Sequence, residues 1–192
     1  MLNMRKYIFE SIEDNINLLN RYKSYYSKEI ITIVKSLKRT LKKKNTIFWA
    51  GNGGSAADCQ HMAAELVGRF EKERPAMNSI SLTTDTSALT AISNDYGYEN
   101  VFARQLKANG KKNDVLIVLS TSGNSKNLIK ALQVAKKLKI NTVALLGNNG
   151  GKIKKYADHS LVINSKKTPR IQEVQHVICH IICGLLEKEM NF

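Results

Sequence analysis

Apolar residues in this chain come in two rhythms. Between residues 4 and 44 they recur three and four positions apart, at Ile8, Ile12, Ile16 and Leu19 and again at Ile30, Ile33, Val34 and Leu37. That spacing marks one face of an α-helix, and the two sets predict two leading helices. Lys42, Lys43 and Lys44 then suit a helix C-terminus, where the backbone dipole favours cations. From residue 45 onward the rhythm changes to short, solid apolar runs. NTIFWA (45–50), NSISL (78–82), DVLIVLS (114–120), NTVALLG (141–147) and HSLVIN (159–164) predict five strands.

Helical patterns separate the runs. They are expected from about Ser55 to Phe70, over TDTSALTAISND to Asn94 or Asp95, over ENVFARQLKANG up to Gly110, and from Ser125 to Leu138. A long closing helix follows, with Pro169 at or near its first turn, where a missing N–H costs nothing. Strands alternating with helices predict an α/β fold with a parallel sheet covered on both faces. No repeat or low-complexity linker interrupts the pattern, so residues 1–192 read as a single domain with residues 1–44 as its leading part.

In such sheets ligands bind beyond the carboxyl ends of the strands. Two of those ends are distinctive, GNGGS at 51–55 and STSGNS at 120–125. Each follows a strand and opens a helix, so free N–H groups and a partial positive charge face the same side. Hydroxyls add donors without bulk, and glycine lets a backbone come close. Ser120, Thr121, Ser122 and Ser125 are therefore a candidate phosphate cradle, with Ser55 reaching in from the neighbouring loop. The plainer alternative is a turn with Ser125 as helix cap. Neither stretch matches the P-loop or the dinucleotide fingerprint, which ranks a sugar phosphate ahead of a nucleotide.

Composition changes this picture little. A net charge of +14 is compatible with an anionic substrate. The lysines are nevertheless scattered over helix ends and loops, without helix-turn-helix or zinc-finger spacing, so no nucleic-acid partner is expected. No apolar run approaches the roughly 18 residues of a membrane span, so no membrane partner is expected. The first residues carry acids and no unbroken apolar stretch, unlike a secretion signal, and a cytoplasmic protein is the default expectation. Cys59, Cys179 and Cys183 form no C-x-x-C pair, and reduced thiols fit that compartment.

Candidate chemistry lies on two helices. His61 and Glu65 are four apart and share a face, as do His176 and His180 on the closing helix. Taken alone, His61 and Glu65 could be a surface ion pair, and HVICHIIC a core helix with satisfied histidines. Asp95 could be a turn residue.

GNGGSAADCQHMAAEL, TTDTSALTAISNDYGYE, STSGNS and RIQEVQHVICH, in this order, resemble the sugar isomerase (SIS) domain family, and within it the bacterial sedoheptulose-7-phosphate isomerases. The resemblance covers nearly the whole chain. It implies a three-layer sandwich around a five-stranded parallel sheet, preceded by N-terminal helices that serve oligomer packing. It also implies a homotetramer with active sites at subunit interfaces. The implied activity is interconversion of sedoheptulose 7-phosphate and D-glycero-D-manno-heptose 7-phosphate. Under it Glu65 is the catalytic base and His180 the acid or second base. His61, Glu65, Gln172 and His180 match a zinc site. Asn52, Gly53, Arg69, Asn94, Asp95 and Gln172 match substrate contacts, with Glu65 and the five cradle residues. The chain departs from the family pattern at Gln175, where many relatives carry histidine and His176 follows instead, and at Pro169, where some carry an acid.

Two other readings of the fold exist. A replication-factor-binding branch of the family lacks the glutamate and the last-helix histidine, both of which are present here. Sugar-phosphate-sensing regulators add a DNA-reading helix, which residues 1–44 do not resemble. An isomerase of another sugar phosphate stays within the same chemistry.

Overall fold

The computed structural model describes residues 3–190; residues 1, 2, 191 and 192 of the expected domain lie outside the described residues. Five strands form one parallel sheet: β1 (Ile47–Gly51), β2 (Ser79–Ser81), β3 (Val115–Ser120), β4 (Asn141–Gly147) and β5 (His159–Ile163). Their order across the sheet is β2-β1-β3-β4-β5. The expected strands match these within one residue at each end, apart from β1, which starts two residues later than the run NTIFWA and ends one later.

The helices are α1 (Met4–Lys42), α2 (Gly54–Val67), α3 (Thr86–Tyr96), α4 (Val101–Asn109), α5 (Lys126–Leu138) and α6 (Thr168–Glu189). A 3-10 turn at Tyr98–Asn100 joins α3 to α4, and another at Ile153–Lys155 lies between β4 and β5. On one face of the sheet, Ile47, Trp49, Ile117 and Leu145 pack with Leu37 of α1, Met62 of α2 and Ile178 of α6. On the other, Phe48, Leu116, Val118 and Leu146 pack with Phe102 of α4 and Leu132 of α5. Alternate strand residues thus enter two different cores, which is why β1 and β3 read as solid apolar runs. Each fully buried Leu, Ile or Phe among them contributes about 1.5–3 kcal/mol by leaving water.

One expectation fails. The two leading helices are a single helix of 39 residues, about 58 Å long. No glycine or proline stands between the two apolar sets. Tyr22 and Tyr26 carry the stripe across the polar interval, with Tyr26 buried and its ring 5.8 Å from that of Tyr22. The Tyr25 hydroxyl accepts the backbone N–H of Val162, tying the same turn to β5. Asn3 starts the helix by accepting the Lys6 N–H through its side chain. The N-terminal half leaves Ile8, Ile12 and Ile16 about half exposed.

Candidate active site

The sheet order reverses between β1 and β3, so the loops after these strands diverge and leave a crevice between them. Both distinctive loops open there. Asn52 leaves β1, Gly53 is the N-cap residue of α2, and Ser55 is buried in its first turn. Ser120 ends β3, and Ser125 is the N-cap residue of α5 without a side-chain cap bond.

The hydroxyl loop is held from within. Ser120 Oγ accepts the Gly123 N–H at 3.0 Å, and Ser122 Oγ accepts the Asn124 N–H at 3.2 Å. Gly123 has φ of +66° and lies so close to the Gly150 carbonyl that a Cβ would sit 2.2 Å from its oxygen. Only glycine allows both the backbone angle and this approach. Thr121 is half-buried, and its carbonyl accepts from Asn148 after β4.

Across the crevice, Asn52 and Asn127 form a reciprocal amide pair, with N···O distances of 3.0 and 2.7 Å. Tyr98 donates its hydroxyl to the same Asn52 oxygen at 3.0 Å. Neither Asn127 nor Tyr98 was anticipated. Asn127 leaves a trace in the sequence, since it is a polar residue on the face of α5 that otherwise carries Leu128, Ala131 and Leu132.

The catalytic candidates stand where α2 and α6 pack side by side. His61 Nε2 and Glu65 Oε1 are 2.9 Å apart. The rings of His61 and His180 lie 5.2 Å apart, and Phe70 stacks on His180 at 5.4 Å. His176, not among the expected site residues, joins them: its ring is 4.4 Å from that of His180, and its Nδ1 is 2.9 Å from Asp58 Oδ1. Burial holds the His180 pKa below the ordinary value, reinforced by the neighbouring His176 and His61 imidazoles and opposed by Glu65 and Asp58. A neutral His180 offers a nitrogen lone pair, to a proton or to a metal.

Gln172 meets the N-terminus of α2, where a Cβ on Gly54 would lie 2.5 Å from its side-chain nitrogen. The absent side chain of Gly54 is what lets α6 bring this amide in. The departure at Gln175 belongs to the core: fully buried, it donates to the Leu145 carbonyl at 2.7 Å. Pro169 sits in the first turn of α6, as expected.

Three expected residues stand apart from this cluster. Arg69 is exposed with Glu73 as its charged neighbour at 3.9 Å, while Asn94 donates to Asp95, both exposed at the end of α3.

The loop carrying Arg69 and Phe70 is locked to α6 by a buried ion pair that the sequence did not reveal. Glu187 accepts Arg74 Nε at 2.8 Å and the N–H groups of Phe70, Glu71 and Lys72 at 3.0–3.1 Å. Arg74 also donates to the Glu65 and Leu66 carbonyls at the end of α2.

A family model described as the SIS domain matches residues 12–147. The chain belongs to the SIS domain family. It is 51% identical to a phosphoheptose isomerase of Sulfurimonas denitrificans, over 97% of each chain. It is 56% identical to one from Helicobacter pylori, over 78% of each. Among solved structures, a phosphoheptose isomerase from Neisseria gonorrhoeae superposes with a TM-score of 0.92 at 35% identity, covering 97% of this chain and 100% of that one. The five-stranded sandwich and the position of the long first helix thus belong to this family's architecture. Among the described residues no helix is long and apolar enough to cross a membrane.

Proposed function

We propose that this protein is an aldose–ketose isomerase that converts sedoheptulose 7-phosphate to D-glycero-D-manno-heptose 7-phosphate through an enediol. The product is the first intermediate toward activated heptose for lipopolysaccharide, capsule or other surface glycans. The observation that carries this reading is that Glu65 and His180 both flank His61 where α2 meets α6, with burial holding the His180 pKa below its ordinary value. The similarity to phosphoheptose isomerases supplies the seven-carbon substrate.

Moving a carbonyl from C2 to C1 requires one carbon to lose a proton and its neighbour to gain one. Glu65 takes the proton from C1, and the ring N–H of His180 delivers one to the C2 oxygen, giving the enediol. Proton return to C2 and loss of the O1 proton complete the aldose. Ser55, Ser120, Thr121, Ser122 and Ser125 hold the phosphate. Asn52, fixed by Asn127 and Tyr98, contacts the sugar beside Gly53. Arg69, Asn94 and Asp95, exposed on the single chain, would line the pocket from a subunit interface, as the family likeness suggests.

The donor set suits zinc, which takes imidazole nitrogen and carboxylate oxygen readily. The family likeness suggests His61, Glu65, Gln172 and His180 as its holders; His61 and His180 lie in a cluster of imidazoles with His176, and Glu65 lies beside His61. A bound zinc would polarise the substrate oxygens and stabilise the developing enediolate. The half-exposed apolar residues of α1, with Ile31, Val177 and Ile181, support packing of copies into a homotetramer. A cytoplasmic location accords with the absence of an apolar spanning helix among the described residues.

The test is turnover in deuterated water, followed by NMR, with and without chelator. Appearance of heptose 7-phosphate carrying deuterium, lost on chelation, is the expected result. Silence in folded, zinc-loaded protein would overturn the reading. For the cradle, Ser122→Ala is expected to raise the apparent KM about tenfold with kcat unchanged, the size of one hydrogen bond to a charged group. An unchanged KM would remove Ser122 from the phosphate site.

A further inference from the structure

Asn127 is a buried amide on a helix face that is otherwise apolar. It stands in the first turn of α5 at 3% exposure, next to Leu128 and one turn before Ala131. Burying an amide costs free energy unless its polar atoms are paired. Here they are paired three times. Asn127 Oδ1 accepts the Leu128 N–H at 2.9 Å and an Asn52 Nδ2–H at 3.0 Å, and Asn127 Nδ2 donates to Asn52 Oδ1 at 2.7 Å.

The backbone contact decides which way both amides face. A main-chain N–H can only donate, so the Asn127 atom beside Leu128 is the oxygen. The Asn127 nitrogen then faces Asn52, and the Asn52 atom that meets it has to be an acceptor, its oxygen. The Leu128 N–H thus sets the polarity of Asn52 by way of Asn127.

Asn52 is left with one free polar group. Its Oδ1 has two lone pairs, and Asn127 Nδ2 and the Tyr98 hydroxyl occupy both. Of the two Nδ2 hydrogens, one goes to Asn127. The other belongs to a half-buried side chain just beyond the carboxyl end of β1, where the crevice opens.

We propose that Asn127 is a positioning residue of the sugar site: it holds Asn52 as a hydrogen-bond donor, so that Asn52 meets an acceptor on the substrate, an oxygen lone pair of the sugar. This rests on the isomerase reading and deepens it. A freely turning amide would offer either end and lose that freedom on binding, whereas the pair with Asn127 fixes the choice beforehand.

The test separates polarity from packing. Asn127→Asp keeps the shape of the side chain. Ionised, it sets a second acceptor against Asn52 Oδ1; protonated, it restores the donor. Asn127→Leu has a similar size and no polar group at any pH. At about pH 8 both variants are expected to raise the KM for sedoheptulose 7-phosphate about tenfold with kcat within about threefold, the size of one lost hydrogen bond. A buried carboxyl titrates above its ordinary pKa of about 3.9, so lowering the pH to about 5 should bring Asn127→Asp back to within about threefold of the unaltered protein at the same pH. The ratio for Asn127→Leu should stay flat. Equal, pH-independent rises in both variants would overturn the polarity argument. Asn127→Leu introduces no charge and remains informative where Asn127→Asp does not fold; an unchanged KM in it, with normal turnover, would overturn the role of Asn127 and leave the isomerase reading standing.

NMR of the side-chain amides in the unaltered protein needs no variant of Asn127 and reads binding, not turnover. On addition of sedoheptulose 7-phosphate one of the two Asn52 Nδ2 protons should shift and its Asn127-bonded twin should stay. Both protons shifting together, or neither, would overturn the proposal. The single shift without turnover would overturn the isomerase reading and leave the role of Asn127 standing.

Discussion

Glu65→Gln is expected to lower kcat by about 10²–10⁴-fold while leaving the melting temperature nearly unchanged. The substitution keeps the shape of the side chain. Its amide oxygen can still accept from His61 Nε2, now at 2.9 Å from Glu65 Oε1, so His61 keeps its orientation. What disappears is the negative charge and with it the capacity to take a proton from carbon. Steady-state kinetics with sedoheptulose 7-phosphate gives the first measure. Exchange of the C1 protons with deuterated solvent gives the second, because it reports abstraction even when turnover stalls later. Zinc content is measured alongside, so that a loss of metal is not mistaken for a loss of base. A rate within threefold of the unaltered enzyme would remove Glu65 from the mechanism.

Glu187→Gln is expected to destabilise the fold by about 3–5 kcal/mol, since it strands a buried guanidinium without a counter-charge. Arg74 and Glu187 side chains are 0% and 1% exposed, so water cannot take over either role. Urea unfolding measures the loss. A change below about 1 kcal/mol would mean that the Glu65, Leu66 and Pro75 carbonyls already satisfy Arg74. Activity should fall as well, because the same carboxylate holds the Phe70 N–H and so places the ring that stacks on His180.

The pair also predicts a pH dependence. Burial alone would raise the Glu187 pKa, but the N–H groups of Phe70 and Glu71, with Arg74 and Lys72, outweigh it and hold the carboxyl below its usual value. A carboxyl depressed in the folded state stabilises fully above its unfolded pKa of about 4.3. That contribution is lost as pH falls through the lower folded value. The urea midpoint of the unaltered protein should therefore drop steeply below about pH 4, and that of Glu187→Gln less so. Parallel curves would remove Glu187 as the source of the acid sensitivity.

Much of the fold was open to reading because two-sided burial writes itself into composition. VLIVLS is solid apolar because Leu116 and Val118 enter one core while Ile117 and Leu119 enter the other. The hydroxyl loop was legible for a related reason: a strand that stops abruptly at STSGNS and resumes as a helix has to expose its N–H groups at the strand's carboxyl end. The expected break between two leading helices is absent because the rings of Tyr22 and Tyr26 continue the stripe between the two aliphatic sets.

The sequence by itself determined the alternation of strands and helices, the two loops that open at the crevice, and the pairing of His61 with Glu65 one helical turn apart. Such features are set by local spacing and by which faces must be dry. Only the tertiary structure decided the partners that lie far apart in the chain. Asp58 meets His176 across 118 positions, Asn52 meets Asn127 across 75, and Arg74 meets Glu187 across 113. Nothing local encodes these distances. They follow from the sheet order, which sets the loops after β1 and β3 side by side, and from the shared apolar face that packs α2 against α6.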